Sequence, residues 1–135
     1  MFKTEYAVEA KASAKQIYRL FEDVPGWKSW NAGIASIELK GPFAEGTEFS
    51  MQPTGGPPMV SKLVEVKKNV GFTDVTVLDD ITVRVAHRIE PLGKGSRVTF
   101  AVEVEGPQAE EVGKMVSGDF PEVLAALAKK AEAAK

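Results

Sequence analysis

The end of the chain constrains everything before it. From Gln108 to Lys135 the apolar positions Val112, Met115, Val116, Phe120, Val123, Leu124, Leu127 and Ala131 recur at steps of three and four. That spacing puts them on one stripe of a helix roughly 40 Å long at ~1.5 Å per residue. A helix of that length with a single apolar stripe has to lie on something equally wide. Gly106 and Pro107 punctuate its start, Glu110 and Glu111 sit where a helix N-terminus favours negative charge, and Lys129, Lys130 and Lys135 sit where its C-terminus favours positive charge. Pro121 interrupts the pattern: it lacks an N–H, and its ring collides with the carbonyl four residues earlier, at Ser117, beside Gly118. A kink is expected there. Asp119 followed three residues later by Glu122 has the polarity of an N-cap pair, so the helix either bends through Gly118 or stops and restarts. In both cases the stripe continues across the break.

The wide surface is supplied upstream. Residues 2–10 alternate Phe2, Thr4, Tyr6 and Val8 against Lys3, Glu5, Ala7 and Glu9, the period of a half-buried strand. Ser13 opens a Ser-x-x-Gln capping box with Gln16, and Ile17, Leu20, Phe21 and Val24 form a short helical stripe that Pro25-Gly26 ends. Trp27-Lys28-Ser29-Trp30-Asn31 then suits one turn of helix or a tight corner. From Ile34 onward strand-length runs follow one another between short turns: 34–40, 47–52, 59–67, 70–78, 81–90 and 97–105. The joints carry Gly41-Pro42, Pro53 to Pro58, Lys68-Asn69, Asp79-Asp80 and Pro91 to Ser96, all short enough for hairpins. The last two runs alternate cleanly, with Ile81, Val83, Val85, His87 and Ile89 on one face and Val98, Phe100, Val102 and Val104 on the other's matching face. In Met59 to Leu78 apolar residues occupy both phases, and no face can be assigned.

One strand, two short helices, six more strands and a long terminal helix make an α+β pattern with one sheet and one large helix to cover it. A seven-stranded antiparallel sheet twists and can curl around that helix. At 135 residues the chain is one domain, large enough to bury a core. Cysteine is absent and histidine occurs once, which excludes disulfides, thiolate chemistry and the usual nitrogen and sulfur zinc sites. No metal and no cofactor are expected. Basic residues are scattered and the net charge is -2, so nucleic acid is not the expected partner. No apolar run has the length of a signal peptide or of a membrane span, and a cytoplasmic protein is expected.

Several local strings occur in a telling order. They are Ala12-Ser13-Ala14-Lys15-Gln16-Ile17-Tyr18 leading to Phe21-Glu22-Asp23, then Trp27-Lys28-Ser29-Trp30, Gly46-Thr47, His87-Arg88-Ile89-Glu90-Pro91 and Gly95-Ser96-Arg97-Val98. With the order of elements, they make residues 1–135 resemble the START-like helix-grip superfamily, specifically its polyketide cyclase/dehydrase and lipid-binding (SRPBCC) group. The resemblance implies a curved seven-stranded sheet wrapped around a kinked C-terminal helix, with a polyketide-like or lipid-like ligand between them. None of the strings is a catalytic signature.

Three functions stay open on this reading. The first is binding of an apolar or aromatic small molecule between helix and sheet. The second is a cyclase, aromatase or dehydratase-type enzyme using the same space, and the third is a protein-interaction domain like the chaperone-activating members of the superfamily. Phe49, Met51, Phe72, Phe100, Met115, Val116, Phe120 and Leu124 are the expected lining, with Tyr6, Val85 and His87 on inward strand phases and Trp27 and Trp30 at the mouth. The same residues also suit an ordinary filled core. His87 is the candidate catalytic residue, since imidazole titrates near neutral pH; a satisfied core histidine is the plainer account. Were Asp74 inward with His87 and Tyr6, the three would make a proton-handling site, but an aspartate in a strand of unassigned phase more commonly faces solvent. The thin supply of inward ionisable groups favours binding over catalysis. A homodimer is also compatible with the sequence.

Overall fold

The structure is a computed structural model in which residues 1–133 are described; Lys135, one of the expected C-terminal charges, lies outside them. Strand β1 (Phe2–Ala10) leads through helix α1 (Ala14–Glu22) and a 3-10 turn (Val24–Ser29) into β2 (Ile34–Leu39), β3 (Glu48–Pro53), β4 (Met59–Lys67), β5 (Gly71–Leu78), β6 (Ile81–Leu92) and β7 (Gly95–Glu105). Helices α2 (Ala109–Ser117) and α3 (Phe120–Ala133) close the chain. The expected capping box at α1 is present: Ser13 Oγ accepts from the Gln16 N–H while the Gln16 side chain accepts from the Ser13 N–H.

All seven strands join one antiparallel sheet in the order β1-β7-β6-β5-β4-β3-β2. Short turns make hairpins of β2 to β7, and β1 pairs with β7, so the first strand sits beside the last. On the inner face the ladder lines up residues in rows. One row runs Tyr6, Phe100, His87, Phe72 and Val66; the next runs Thr4, Val102, Val85, Asp74 and Leu63.

The phase of β5, ambiguous in the sequence, is set by its unbroken ladder with β6, and that of β4 changes at a bulge. Between Leu63 and Glu65 the register of β4 shifts by one residue, so Leu63 pairs with Asp74 and Val66 with Phe72, and both leucine and valine face inward although they stand three positions apart. The extra residue, Val64, is left exposed. Opposite His87, Val85 and Val83 of β6, Phe72, Asp74 and Thr76 all point to the helix side.

The helical stripe covers this face in two pieces. Val123, Leu124, Leu127, Ala128 and Ala131 of α3 are buried in the main core with Ile17 and Phe21 of α1, and α2 covers a second cluster of Val83, Val85, Val102 and Val104. The break falls at Gly118-Asp119, and the Asp119 carbonyl accepts the Val123 N–H at 2.9 Å. Pro121 thus stands in the first turn of a new helix, where a missing N–H costs nothing.

Gly71 holds the site strand at its start. Its φ is +146°, and a Cβ there would fall on the carbonyl of His87 across the ladder. Gly71→Ala is expected to lose about 2–3 kcal/mol in urea unfolding, through both the backbone strain and the displaced β6. A loss under ~0.5 kcal/mol would show that β5 and β6 can separate there freely.

Candidate functional site

The inner face carries an aromatic wall with polar groups set into it. The wall arises because three structural sources converge: one inward residue from each strand of the ladder, the Phe21 position of α1, and the two indoles of the 3-10 turn. Phe72 and His87, directly opposite on β5 and β6, stack with ring centroids 4.0 Å apart and planes 10° apart. Phe100 of β7 meets the imidazole edge-on at 4.6 Å, and Phe21 does so at 6.0 Å. On its other side Phe72 is stacked by Trp27 at 5.4 Å, and Trp27 in turn meets Phe49 at 5.4 Å. Such pairs each add about 0.5–1.5 kcal/mol beyond the area they bury, so the wall is firmly held.

The two indole N–H groups differ. Trp27 Nε1 donates to the Phe21 carbonyl at 2.8 Å, fixing the turn to α1. Trp30 Nε1 is buried with no acceptor among the described residues. Next to Phe72, Asp74 points inward from β5, and its Oδ2 lies 3.9 Å from His87 Nδ1, with each side chain only 12% exposed. That separation is too long for a hydrogen bond. Nδ1 instead lies 3.3 Å from the Phe72 carbonyl oxygen. A carbonyl only accepts, so Nδ1 carries the proton and the lone pair of the neutral ring is at Nε2.

Burial dominates the electrostatics of both groups. It pushes the Asp74 carboxyl up to about 7 and the His87 imidazole down to about 3, the latter opposed by the bond to Phe72 and reinforced by the Arg88 charge. At neutral pH the pair is therefore a neutral imidazole beside a carboxyl close to its midpoint, rather than an ion pair. A carboxyl poised near neutrality beside an imidazole can give and take a proton, and both can hydrogen-bond a polar group presented to the wall.

Most of the expected lining residues face inward. Phe49, Phe72, Phe100, Val85, Leu124, Trp27 and Trp30 are buried, and Met51, Val116 and Phe120 are half-buried. Met115 is corrected: it is 75% exposed, because Gly113 presses against the ring of Phe2 and thereby turns Val112, Val116 and Ser117 to the sheet and Met115 away. Tyr6 keeps its inward phase, yet on the edge strand it is 37% exposed and edge-on to Phe120 at 6.4 Å. Phe100 stands between Tyr6 and His87 in the ladder, so of the three groups considered only Asp74 and His87 meet. Asp74, for which solvent was the commoner expectation, is inward. Phe21 and Phe43 join the wall without having been singled out; for Phe21 the signal was its place on the α1 stripe, four residues after Ile17.

The room expected between helix and sheet is occupied by side chains. Two hollows among the described residues lie elsewhere on the sheet: about 350 Å³ at the β2–β3 edge, lined by Ser36, Ile37, Glu38, Ser50, Met51, Gln52 and Pro58, and about 260 Å³ beside Val60, Lys62, Val75 and Val77. Both are shallow and sit away from the Asp74–His87 pair. No described helix is long and apolar enough to cross a membrane.

A curved antiparallel sheet closed by a broken C-terminal helix, with short helices between its first two strands, is the helix-grip architecture of START-like proteins. The sequence matches the family described as polyketide cyclase / dehydrase and lipid transport over residues 1–132, and the chain belongs to that family. Among solved structures it is similar to a START superfamily protein from Mycobacterium smegmatis, with a TM-score of 0.73 at 22% identity, covering 98% of this chain and 99% of that one. A protein from Nitrosomonas europaea superposes with a TM-score of 0.79 at 14% identity, over 98% and 96% of the two chains. The di-domain ARO/CYC StfQ from the steffimycin biosynthetic pathway gives 0.79 at 11% identity, with 96% of this chain matching 50% of that one. At such identities these likenesses speak for the fold alone. No curated protein matches the sequence.

Proposed function

We propose that this chain binds an apolar or aromatic small molecule on the inner face of the sheet, against the wall formed by Phe72, Phe100, Trp27 and Trp30. The observation that carries this reading is the buried Trp30 indole N–H, which has no acceptor among the described residues. A buried donor without an acceptor costs about 1–3 kcal/mol, and native cores avoid leaving one. Trp30 Nε1 is such a donor, and on the same face the Asp74 carboxyl, 12% exposed, has only His87 Nδ1 at 3.9 Å beside it. A ligand oxygen or hydroxyl would complete them. Entry requires the half-buried side chains at the margin, Phe43, Met51 and Phe120, to shift, and two of these belong to a loop and to the first residue of α3. The family's description as cyclase, dehydrase and lipid transport fits an apolar ligand class.

A second reading, a cyclase- or dehydratase-type enzyme on the same face, draws support from Asp74, whose carboxyl is poised near neutrality beside an imidazole. Both readings begin with binding. Native mass spectrometry of the purified protein should detect a co-purifying small molecule. Naphthalene should in turn produce a saturable change in the fluorescence of Trp27 and Trp30, the only two tryptophans. Unchanged fluorescence up to the solubility limit, with no co-purifying mass, would remove both readings.

A further inference from the structure

We infer that His87 is the specificity-determining residue of this inner face, and that through Nε2 it selects apolar ring compounds bearing a hydroxyl or N–H donor. The inference rests on the binding reading above and deepens it by naming what the ligand must carry.

The tautomer is forced by the fold. Phe72 and His87 are ladder partners, and the Phe72 carbonyl lies 3.3 Å from Nδ1, so the single proton of the neutral ring is held there. Asp74 approaches from the same Nδ1 side, at 3.9 Å. Phe72 stacked at 4.0 Å and Phe100 edge-on at 4.6 Å clamp the ring, fixing the direction in which the Nε2 lone pair points. Nε2 itself has no hydrogen-bond partner among the described residues, and the His87 side chain is 12% exposed rather than sealed.

An acceptor of fixed direction in an aromatic surround discriminates by chemistry rather than size. A ligand that covers Nε2 with a C–H or a methyl group strips it of water and returns nothing, whereas a hydroxyl restores the bond. Burial keeps the ring neutral and so keeps the lone pair available. Partition from water alone would favour the less polar compound, so a preference for the hydroxylated one has to come from the site.

Three probes of one shape test this on the whole chain: 2-naphthol, naphthalene and 2-methoxynaphthalene, with affinities from NMR titration. The wild type should bind 2-naphthol about tenfold more tightly than the other two. In His87→Phe the three affinities should converge, and in His87→Gln, whose amide oxygen can accept, part of the preference should return. The 15N spectrum of the unaltered protein supplies a measurement that needs no variant, and it should show a protonated Nδ1 and a pyridine-type Nε2. Equal affinities in the wild type, a preference that survives His87→Phe, or a protonated Nε2 would each overturn the inference while leaving the binding reading intact. Failure of all three probes to bind would overturn this inference, and with no co-purifying mass it would overturn the binding reading as well.

Discussion

Truncating Phe72 to alanine should cost about 3–5 kcal/mol of unfolding free energy, the largest effect expected of any single substitution in this chain. Phe72 is fully buried and its ring is in contact with four others: Phe21 at 5.1 Å, Trp27 and Phe43 at 5.4 and 5.3 Å, and His87 at 4.0 Å. Removing it loses the transfer free energy of the ring and leaves a void that these neighbours cannot fill without leaving their own contacts. They are anchored on four different elements, the 3-10 turn, α1, the β2–β3 connection and β6, so no single movement closes the gap. Equilibrium urea unfolding of Phe72→Ala against wild type measures this. A loss below ~1.5 kcal/mol would mean the wall collapses easily and is far less rigid than its geometry indicates.

The second large effect is in the pH dependence of stability, and wild type should conceal it. Burial raises the Asp74 carboxyl from its ordinary 3.8 to about 7, so between those values the folded chain holds a proton that the unfolded chain has lost, and stability falls as pH rises through the window. Burial lowers His87 from 6.5 to about 3, so there the unfolded chain holds the extra proton and stability rises with pH. Between about pH 4 and pH 6.5 the two slopes oppose each other, each ~1.4 kcal/mol per pH unit, and the pair contributes almost no net dependence.

Removing one partner exposes the other. Relative to wild type, Asp74→Asn should gain stability with rising pH across that window, and His87→Phe should lose it, by on the order of 3 kcal/mol in each case. The double variant should run parallel to wild type again. Surface carboxylates such as Glu65, held below the ordinary range by Arg88, give a background common to all four proteins that cancels in the comparison. Urea unfolding at pH 4, 5 and 6 reads the slopes. Parallel curves for both single variants would mean that Asp74 and His87 titrate as solvent-exposed groups, and the polar pair would lose its distinction from any surface pair.

Much of the architecture was legible because it rests on local periodicity. The alternation of β6 and β7 placed His87 on the inner face, the Ser13–Gln16 box marked the start of α1, and the C-terminal stripe announced the helix that the sheet must cover. Pro121 and Asp119 told of a break in that stripe, and the break is where they stand. Asp74 was not legible in the same way. Its orientation follows from the register of β5 on β6, where it stands opposite inward-facing Val85, and the apolar residues on both phases of β5 announce no such register. Met115 misled for a related reason, since the rotation of a short helix about its axis is decided by the closest contact, Gly113 on Phe2, which joins opposite ends of the chain.

The sequence by itself determined the elements, their order, the one-sheet, one-helix-layer class and the inward phase of its single histidine, because helix and strand periods, caps and turns act over a few residues. Only the tertiary structure decided that Asp74 meets His87, that Trp30 is left without an acceptor, and that aromatic rings occupy the space beneath the helix. Those facts depend on ladder register and on side chains brought together from distant positions. Register is set by the fit of the whole sheet rather than by any one stretch of it.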